Sequence, residues 1–528
     1  MNGKPRIVYQ KYLGRAEDIA RAMEGKGDLE NPKYSLIFEF GASCALYELA
    51  KKLGVVELID RSAPKRDQGL TLGEYMLVAA INRAVQPKNK MQIADWYAKT
   101  MLDRIWPLPK RLLSSQRFWD NMGLLTEEAI EKFEDEFTSL LVKKYGLATE
   151  CLIYITNFFT YVDTLAPAKL PRRGHSKEKR VDLKIVGLAM MVSPDFHVPL
   201  FHAVYPGNLP DPVEFRAVLE KLKSRFKKIC GEPEKVTLVL DKGNNSLENI
   251  NLLDFKVVGS LKLSQAKPLL EIPKKEFAPV PGERYQGVTA YRCKDVIYNR
   301  EMTVLVVHNP ELLAGQLQGI TNNIEKCTLK LRDLQRSLAA GKKVKSLPKK
   351  VKDILRDEFM EEIFDLEFTG GQFNFSLNTE KLEYIQERYL GKTILFTDNH
   401  DWPNEKIISA YRSQYHVEDA FRQMKNTHFL GFRPIYHWTD QKIKVHAFYC
   451  VLGLRLCCLL NRTLAEHGIH LSINKMLASL SEIRQVITVY PKKGDSKKDR
   501  ESFSLSKMGP QEKRILEILD IKKYALGG

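Results

Sequence analysis

Tyr411, Glu418 and Lys425 recur every seven residues in Tyr411-Arg-Ser-Gln-Tyr-His-Val-Glu418-Asp-Ala-Phe-Arg-Gln-Met-Lys425. On a single helix from about Asn404 to Met424, that spacing stacks them along one stripe, about 10 Å apart with a drift of about 20° per step. A ring, a carboxylate and an ammonium in line suit a site that handles phosphodiesters. Ile407, Ile408, Val417, Ala420, Phe421 and Met424 supply the apolar side of the same helix. A plainer reading stands beside this one, because Glu418 and Arg422 also form an ordinary i,i+4 pair worth about 0.2–0.5 kcal/mol. A second carboxylate, Asp241, closes the compact apolar run Val236-Thr-Leu-Val-Leu240. Asp is a common turn residue, but the C-terminal edge of a strand is also where ligands of α/β sheets gather.

The elements that must position these groups follow from periodicity. Residues 1–148 carry amphipathic helical segments separated by polar or Pro-bearing breaks, and read as a helical N-terminal domain. Its cations, among them Lys51, Lys52, Lys65, Arg66, Lys88, Lys90 and Arg111, are candidates for DNA phosphates or for solvated helix faces. From Cys151 the pattern changes to β-branched and aromatic runs at 152–160, 183–192 and 198–205, then a helix at 213–228. The Val236–Leu240 strand, a short helix and a strand at 256–263 complete the order. Three strands, a helix, a strand ending in Asp, a helix and a strand predict an α/β, ribonuclease-H-like core with a mixed sheet and flanking helices.

The expected organisation is a first core part at 149–268, an insertion domain at 269–390, a second core part at 391–467 with the Tyr411/Glu418/Lys425 helix, and a C-terminal appendage at 468–528. The insertion carries a hairpin centred on Gly370-Gly371 and the basic run Lys342-Lys-Val-Lys-Ser-Leu-Pro-Lys-Lys350. The appendage reads as two helical stretches around a charged 492–500 loop.

At 528 residues, 44% of them hydrophobic, the chain can bury a large core and is not wholesale disordered. Its formal charge of +17, with 82 Lys and Arg spread throughout, favours a polyanionic partner such as nucleic acid. The eight cysteines show no CxxC pair or framework spacing and read as reduced thiols. The longest apolar run, 447–460, is short and interrupted by Arg455, so no membrane span and a cytoplasmic location are expected.

With these residues in view, the chain resembles the DDE transposases of prokaryotic insertion sequences, in the group marked by a Tyr-Arg-Glu-Lys helix. That signature reads Tyr, two residues, Arg, three residues, Glu, six residues, Lys; here it reads Tyr411, Gln414, Glu418, Lys425. Further matching stretches are Phe40-Gly-Ala, Arg173–Leu183, Tyr205-Pro-Gly-Asn208, Leu240–Ser246 and Val417–Arg422. The resemblance implies catalytic, metal-holding roles for Asp241 and Glu418, with two Mg²⁺ ions about 4 Å apart clamping an in-line displacement at phosphorus; Mn²⁺ could substitute. It also implies DNA contacts by Tyr411 and Lys425, with Arg412, Gln414 and Arg422 as further candidates. The implied partners are transposon terminal inverted repeats and target DNA, bound by at least a homodimer associated with the nucleoid.

Two positions depart from the family pattern. Gln414 replaces the signature Arg and loses its charge, and Arg412, about 200° round a regular helix from Gln414, is a poor substitute. The family's first Asp precedes a Thr-Asn-Phe-Phe-like sequence, and aligning Thr156-Asn157-Phe158-Phe159 puts Tyr154 there, or Ile155 if the register slips by one. Neither ligates a hard cation well at neutral pH. Asp163 and Asp182 lie too far along the chain to replace it. Three readings therefore stand: an active transposase, a catalytically inactive DNA-binding derivative or repressor, and a metal nuclease of the same fold.

Overall fold

The computed structural model describes residues 16–17, 31–63, 69–161, 167–174, 182–230, 235–342, 344–426, 428–433, 435–492 and 498–527. Lys65, Arg66, Asp163 and positions 175–181 of the Arg173–Leu183 stretch lie outside them.

The first strand, β1 (Tyr34–Glu39), leads into α1 (Gly41–Lys52) and, after a further helix, α2 (Leu72–Val85). Thr71 caps α2 through a capping box with Glu74, satisfying the orphan amides of its first turn. The next long helix, α3 (Glu127–Tyr145), starts on a Thr126 cap and stops at Gly146, whose φ of 57° favours glycine. Then come β2 (Cys151–Tyr161), β3 (Lys184–Val192), β4 (Pro199–Pro206), α4 (Asp211–Cys230), β5 (Thr237–Leu240) and β6 (Lys256–Leu261).

These five strands lie in the order β4-β3-β2-β5-β6. The β2–β4 strands form an antiparallel meander, while β5 and β6 run parallel to β2. Together with the flanking helices, this order is compatible with a ribonuclease-H-like core. The sheet does not end at β6. It continues through β12 (Lys392–Thr397) to β9 (Arg300–His308), β8 (Thr289–Ile297) and the two-residue β7 (Ala278–Pro279), giving nine strands. The segment 278–308, expected within the insertion, is therefore part of the main sheet, joined to β6 by β12, which pairs antiparallel with both β6 and β9.

Residues 310–390 enclose a second hydrophobic cluster of their own, separate from the main core. Here α5 (Pro310–Ala339), capped by Asn309, packs with α6 (Leu347–Ile354) and the hairpin of β10 (Phe364–Thr369) and β11 (Gln372–Leu377). Gly370 and Gly371 turn that hairpin with φ of 58° and 83°.

After β12 come α7 (Asn404–Arg412), α8 (Gln414–Met424) and α9 (Asp440–Glu466). Among the described residues α9 is long and apolar enough to cross a membrane, but it is buried inside the fold, packed on α2, α1 and β4. Its Arg455, 1% exposed, is neutralised by Glu134 of α3.

The N-terminal helices, the sheet and the C-terminal segment share one continuous core, so the expected first and last domains are not separate bodies. The tail also holds β13 (Arg484–Tyr490) and β14 (Arg500–Leu505), which flank the charged loop and pair with β1 in a small antiparallel sheet. Helices at Ile473–Glu482 and Pro510–Ile518 stand on either side of the loop as expected, but the alternating Arg484-Gln-Val-Ile-Thr-Val-Tyr490 between the first of them and the loop, with Gln485, Ile487 and Val489 buried, has the period of a strand. The described cysteines carry no disulfide.

Candidate active site

Asp241 and Glu418 line the same cavity, a cleft of about 470 Å³ at the C-terminal end of β5. Tyr411, Arg412 and Gln414 line it as well, with Lys242, Asn309, Leu312 and Thr393. Strand β5 delivers Asp241 because its four residues are all buried and the chain emerges at the next position. Asp241 Oδ1 accepts from the Lys242 amide at 2.7 Å and its carbonyl from the Asn244 amide at 2.9 Å, which fixes the turn.

Glu418 arrives on α8, which is not continuous with α7. The helix interrupts at Ser413, whose hydroxyl donates to the Ala410 carbonyl. The expected single stripe is therefore broken. Tyr411 and Glu418 still reach the cleft, but Lys425 does not line it; its ammonium lies 5.5 Å from the centre of the Phe159 ring. Arg422 is exposed and also lies outside the lining. Arg412 is in the lining beside Gln414, contrary to the expectation from an uninterrupted helix, and its guanidinium lies 5.7 Å from the Tyr285 ring centre. Arg412 thus brings a cation into the cleft beside Gln414. The Gln414 amide nitrogen is buried without a hydrogen-bond partner among the described residues.

Tyr411 reports the electrostatics of the cleft. Burial pushes its phenol above the usual range, the negative charges of Asp241 and Glu418 push it further, and a hydrogen bond with Ser260 opposes them. Both carboxylates are thus close enough to act on one hydroxyl.

Strand register separates Tyr154 from Ile155, the two residues considered by sequence for a further carboxylate position. In β2, Tyr154 pairs with Leu240, so one step further along the same register puts Ile155 opposite Asp241. Tyr154 faces the other side of the sheet, where its ring packs edge-on against Phe215 of α4 and its hydroxyl hydrogen-bonds Glu214. Phe159, on the same side of β2 as Ile155, contacts Phe421 of α8. A strand alternates faces with period 2, so Ile155 and not Tyr154 shares the side of the Glu418 helix. Ile155 is buried and apolar.

Among the described residues no three His, Cys, Asp or Glu side chains group to hold a metal. Asp398, at the end of β12, is engaged through Oδ1 by the Val257 amide at 2.8 Å. Lys90, a candidate for phosphate contact by sequence, is buried instead; its ammonium donates to the Tyr449 hydroxyl at 2.8 Å, and burial pushes its pKa well down. Lys242, Asn309 and Thr393 were missed by sequence reasoning. Lys242 adjoins Asp241 and could have been found, but Asn309 and Thr393 come from elements assigned to other domains or strands.

No family model and no curated protein matches the chain. Among solved structures it is similar to one described as a cryo-EM structure of the piggyBac transposase synaptic complex with hairpin DNA. The identity is 11%, covering 85% of this chain and 82% of that chain, with a TM-score of 0.39.

Proposed function

We propose that the chain is a DNA transposase of an insertion sequence, cleaving transposon ends and joining them to target DNA by in-line displacement at phosphorus. The observation that carries this reading is the convergence of Asp241 and Glu418 on one cleft with Tyr411, Arg412 and Gln414. Two carboxylates suit one hard divalent ion, since Mg²⁺ is commonly held by one or two carboxylates together with waters and substrate phosphates. When bound, such an ion would polarise phosphoryl oxygens and lower the pKa of a water. On this chain's own side chains the expected ion pair reduces to one, because Ile155 stands where a third carboxylate would be needed.

The remaining residues suit a strand end. Arg412 and Lys242 offer charge to the phosphates, and the unpartnered Gln414 amide offers a donor to a phosphate or base edge. Tyr411 presents a ring and a neutral hydroxyl. Terminal repeats and target DNA would be the partners, with at least two copies of the chain holding both ends.

Ile155 favours a second reading, a transposase-derived protein that binds ends without cutting them. Supercoiled-plasmid nicking and strand transfer, with Mg²⁺ or Mn²⁺ and the flanking terminal repeats, separates the two. Cutting by wild type and not by Glu418→Ala supports the enzyme. Binding without cutting leaves the inactive derivative, cutting without joining leaves a nuclease, and absence of DNA binding removes all three.

A further inference from the structure

The unit formed by residues 310–390 is strongly divided in charge. Between Lys326 and Arg356 there are eleven Lys and Arg against two acids, and between Asp357 and Arg388 nine acids against two bases. The basic part maps onto the C-terminal half of α5, the following turn and α6. On α6, Leu347, Val351 and Ile354 pack into the unit's core, which leaves Lys349 and Lys350 exposed. Lys330, Arg332, Lys342 and Lys345 are exposed too, and none of these six cations makes an ion pair among the described residues. Cations this dense repel one another, and the unit's own acids pair with few of them: Lys326 with Asp357, Arg336 with Asp333 and Lys352 with Glu361. A face so charged is balanced most simply by a polyanion.

The position of that face adds a length. Asn309 and Leu312, at the start of α5, line the Asp241–Glu418 cleft. From there α5 extends as a 30-residue helix, about 45 Å at 1.5 Å per residue. Its cations without an ion pair among the described residues begin at Lys330, about 27 Å from Leu312 along the axis, and the helix ends about 40 Å from it, so the patch spans the reach of roughly 8–12 base pairs at 3.4 Å each. We propose that this face binds the phosphate backbone of duplex DNA about one helical turn from the cleft, with α5 acting as the spacer. The inference rests on the DNA-processing reading and adds where, and by what, the flanking duplex is held.

The test measures affinity by fluorescence anisotropy over a salt series, on a duplex of about 40 base pairs and a hairpin-closed duplex of about 6 base pairs, each carrying the end of the terminal repeat. It compares wild type with the variant Lys342→Gln, Lys345→Gln, Lys349→Gln, Lys350→Gln in the full chain. These side chains lie outside both cores, so the variant should fold, and circular dichroism checks that it does. The expected result is a loss of tenfold or more on the longer duplex, no change on the shorter one, and a log–log salt slope shallower by about 2–4. Wild-type binding to both duplexes with an unchanged slope in the variant overturns this inference and leaves the DNA-processing reading standing. No wild-type binding to either duplex overturns both. Loss of affinity for duplex RNA alone overturns the choice of DNA. Loss of self-association by sedimentation, with DNA affinity intact, assigns the face to the acidic side of a second copy and overturns it as well.

Discussion

Ile155 of β2 stands opposite Asp241, the residue that follows β5, on the side of the sheet covered by the Glu418 helix. A carboxylate restored at 155 would therefore join the two already in the cleft. Ile155→Asp should lower the melting temperature without metal, by like-charge repulsion and loss of an apolar side chain. It should regain stability on addition of Mg²⁺ or Mn²⁺ more than wild type does, and raise plasmid nicking by about tenfold or more, equivalent to at least about 1.4 kcal/mol in the barrier. Tyr154→Asp should do neither, because it puts a carboxylate against buried Glu214. Equal metal responses from the two variants, read by thermal shift, would defeat the register argument.

The same pair shows what could be read from the sequence. Asp241 was legible because a compact run, apolar but for Thr237, ended on an acid, and Glu418 because its neighbours repeat with helical spacing. Which of Tyr154 and Ile155 shares the side of Asp241 was not, since a one-residue slip in a strand moves a side chain to the opposite face and no composition signal marks it. Lys90 looked like a surface cation, and only tertiary packing against Tyr449 hides it. The pairing of β1 with β13 joins distant ends of the chain, which local periodicity does not reveal.

Glu418→Gln removes one of the two negative charges that raise the Tyr411 phenol. Its pKa should fall toward the ordinary value of about 10, followed by spectrophotometric or NMR titration of that tyrosine against a Tyr411→Phe reference. The sign of the linkage is fixed: with the folded-state value raised, wild-type stability is full below about pH 10 and declines as pH rises through the folded value. The variant should show less of that alkaline decline. A Tyr411 titration unmoved by the substitution would mean that Glu418 does not act on the cleft.

Arg412 and Arg422 looked interchangeable as weaker DNA contacts, but only Arg412 lines the cleft. Arg412→Ala should weaken binding of a terminal-repeat duplex by about tenfold, the scale of one charge-assisted contact at about 1.5 kcal/mol. Arg422→Ala should change it by less than threefold or so. Placing a cation at the neighbouring position by Gln414→Arg in the Arg412→Ala background should recover affinity, since both positions line one cavity. Equal losses from the two alanine variants would remove the structural distinction between them.

Glu134 ties the N-terminal helices to the sheet and to α9. Its carboxylate meets Arg455 at 2.7 Å, Arg225 at 2.7 Å and His202 at 2.8 Å, in surroundings where Glu134 is 2% and Arg455 1% exposed. Burial alone would raise the Glu134 pKa, but Arg455, His202 and Arg225 outweigh it and hold the carboxyl far below the usual range. Burial also pulls Arg455 below its usual range, with Glu134 opposing; a guanidinium nonetheless stays charged wherever the fold survives. Because the folded-state value is depressed, the unfolded chain binds more protons in acid. The stabilisation is complete above about pH 4.3 and is lost as pH falls through the folded value. Glu134→Gln leaves the Arg455 charge buried and uncompensated, and should cost about 3–5 kcal/mol at neutral pH while flattening the acid limb of the stability curve. Adding Arg455→Met should recover part of the loss, because the stranded charge goes with it. Urea unfolding followed by circular dichroism across a pH series measures all three chains. Wild type and Glu134→Gln of equal stability at pH 7 would show that this buried network does not hold the N-terminal helices to the sheet.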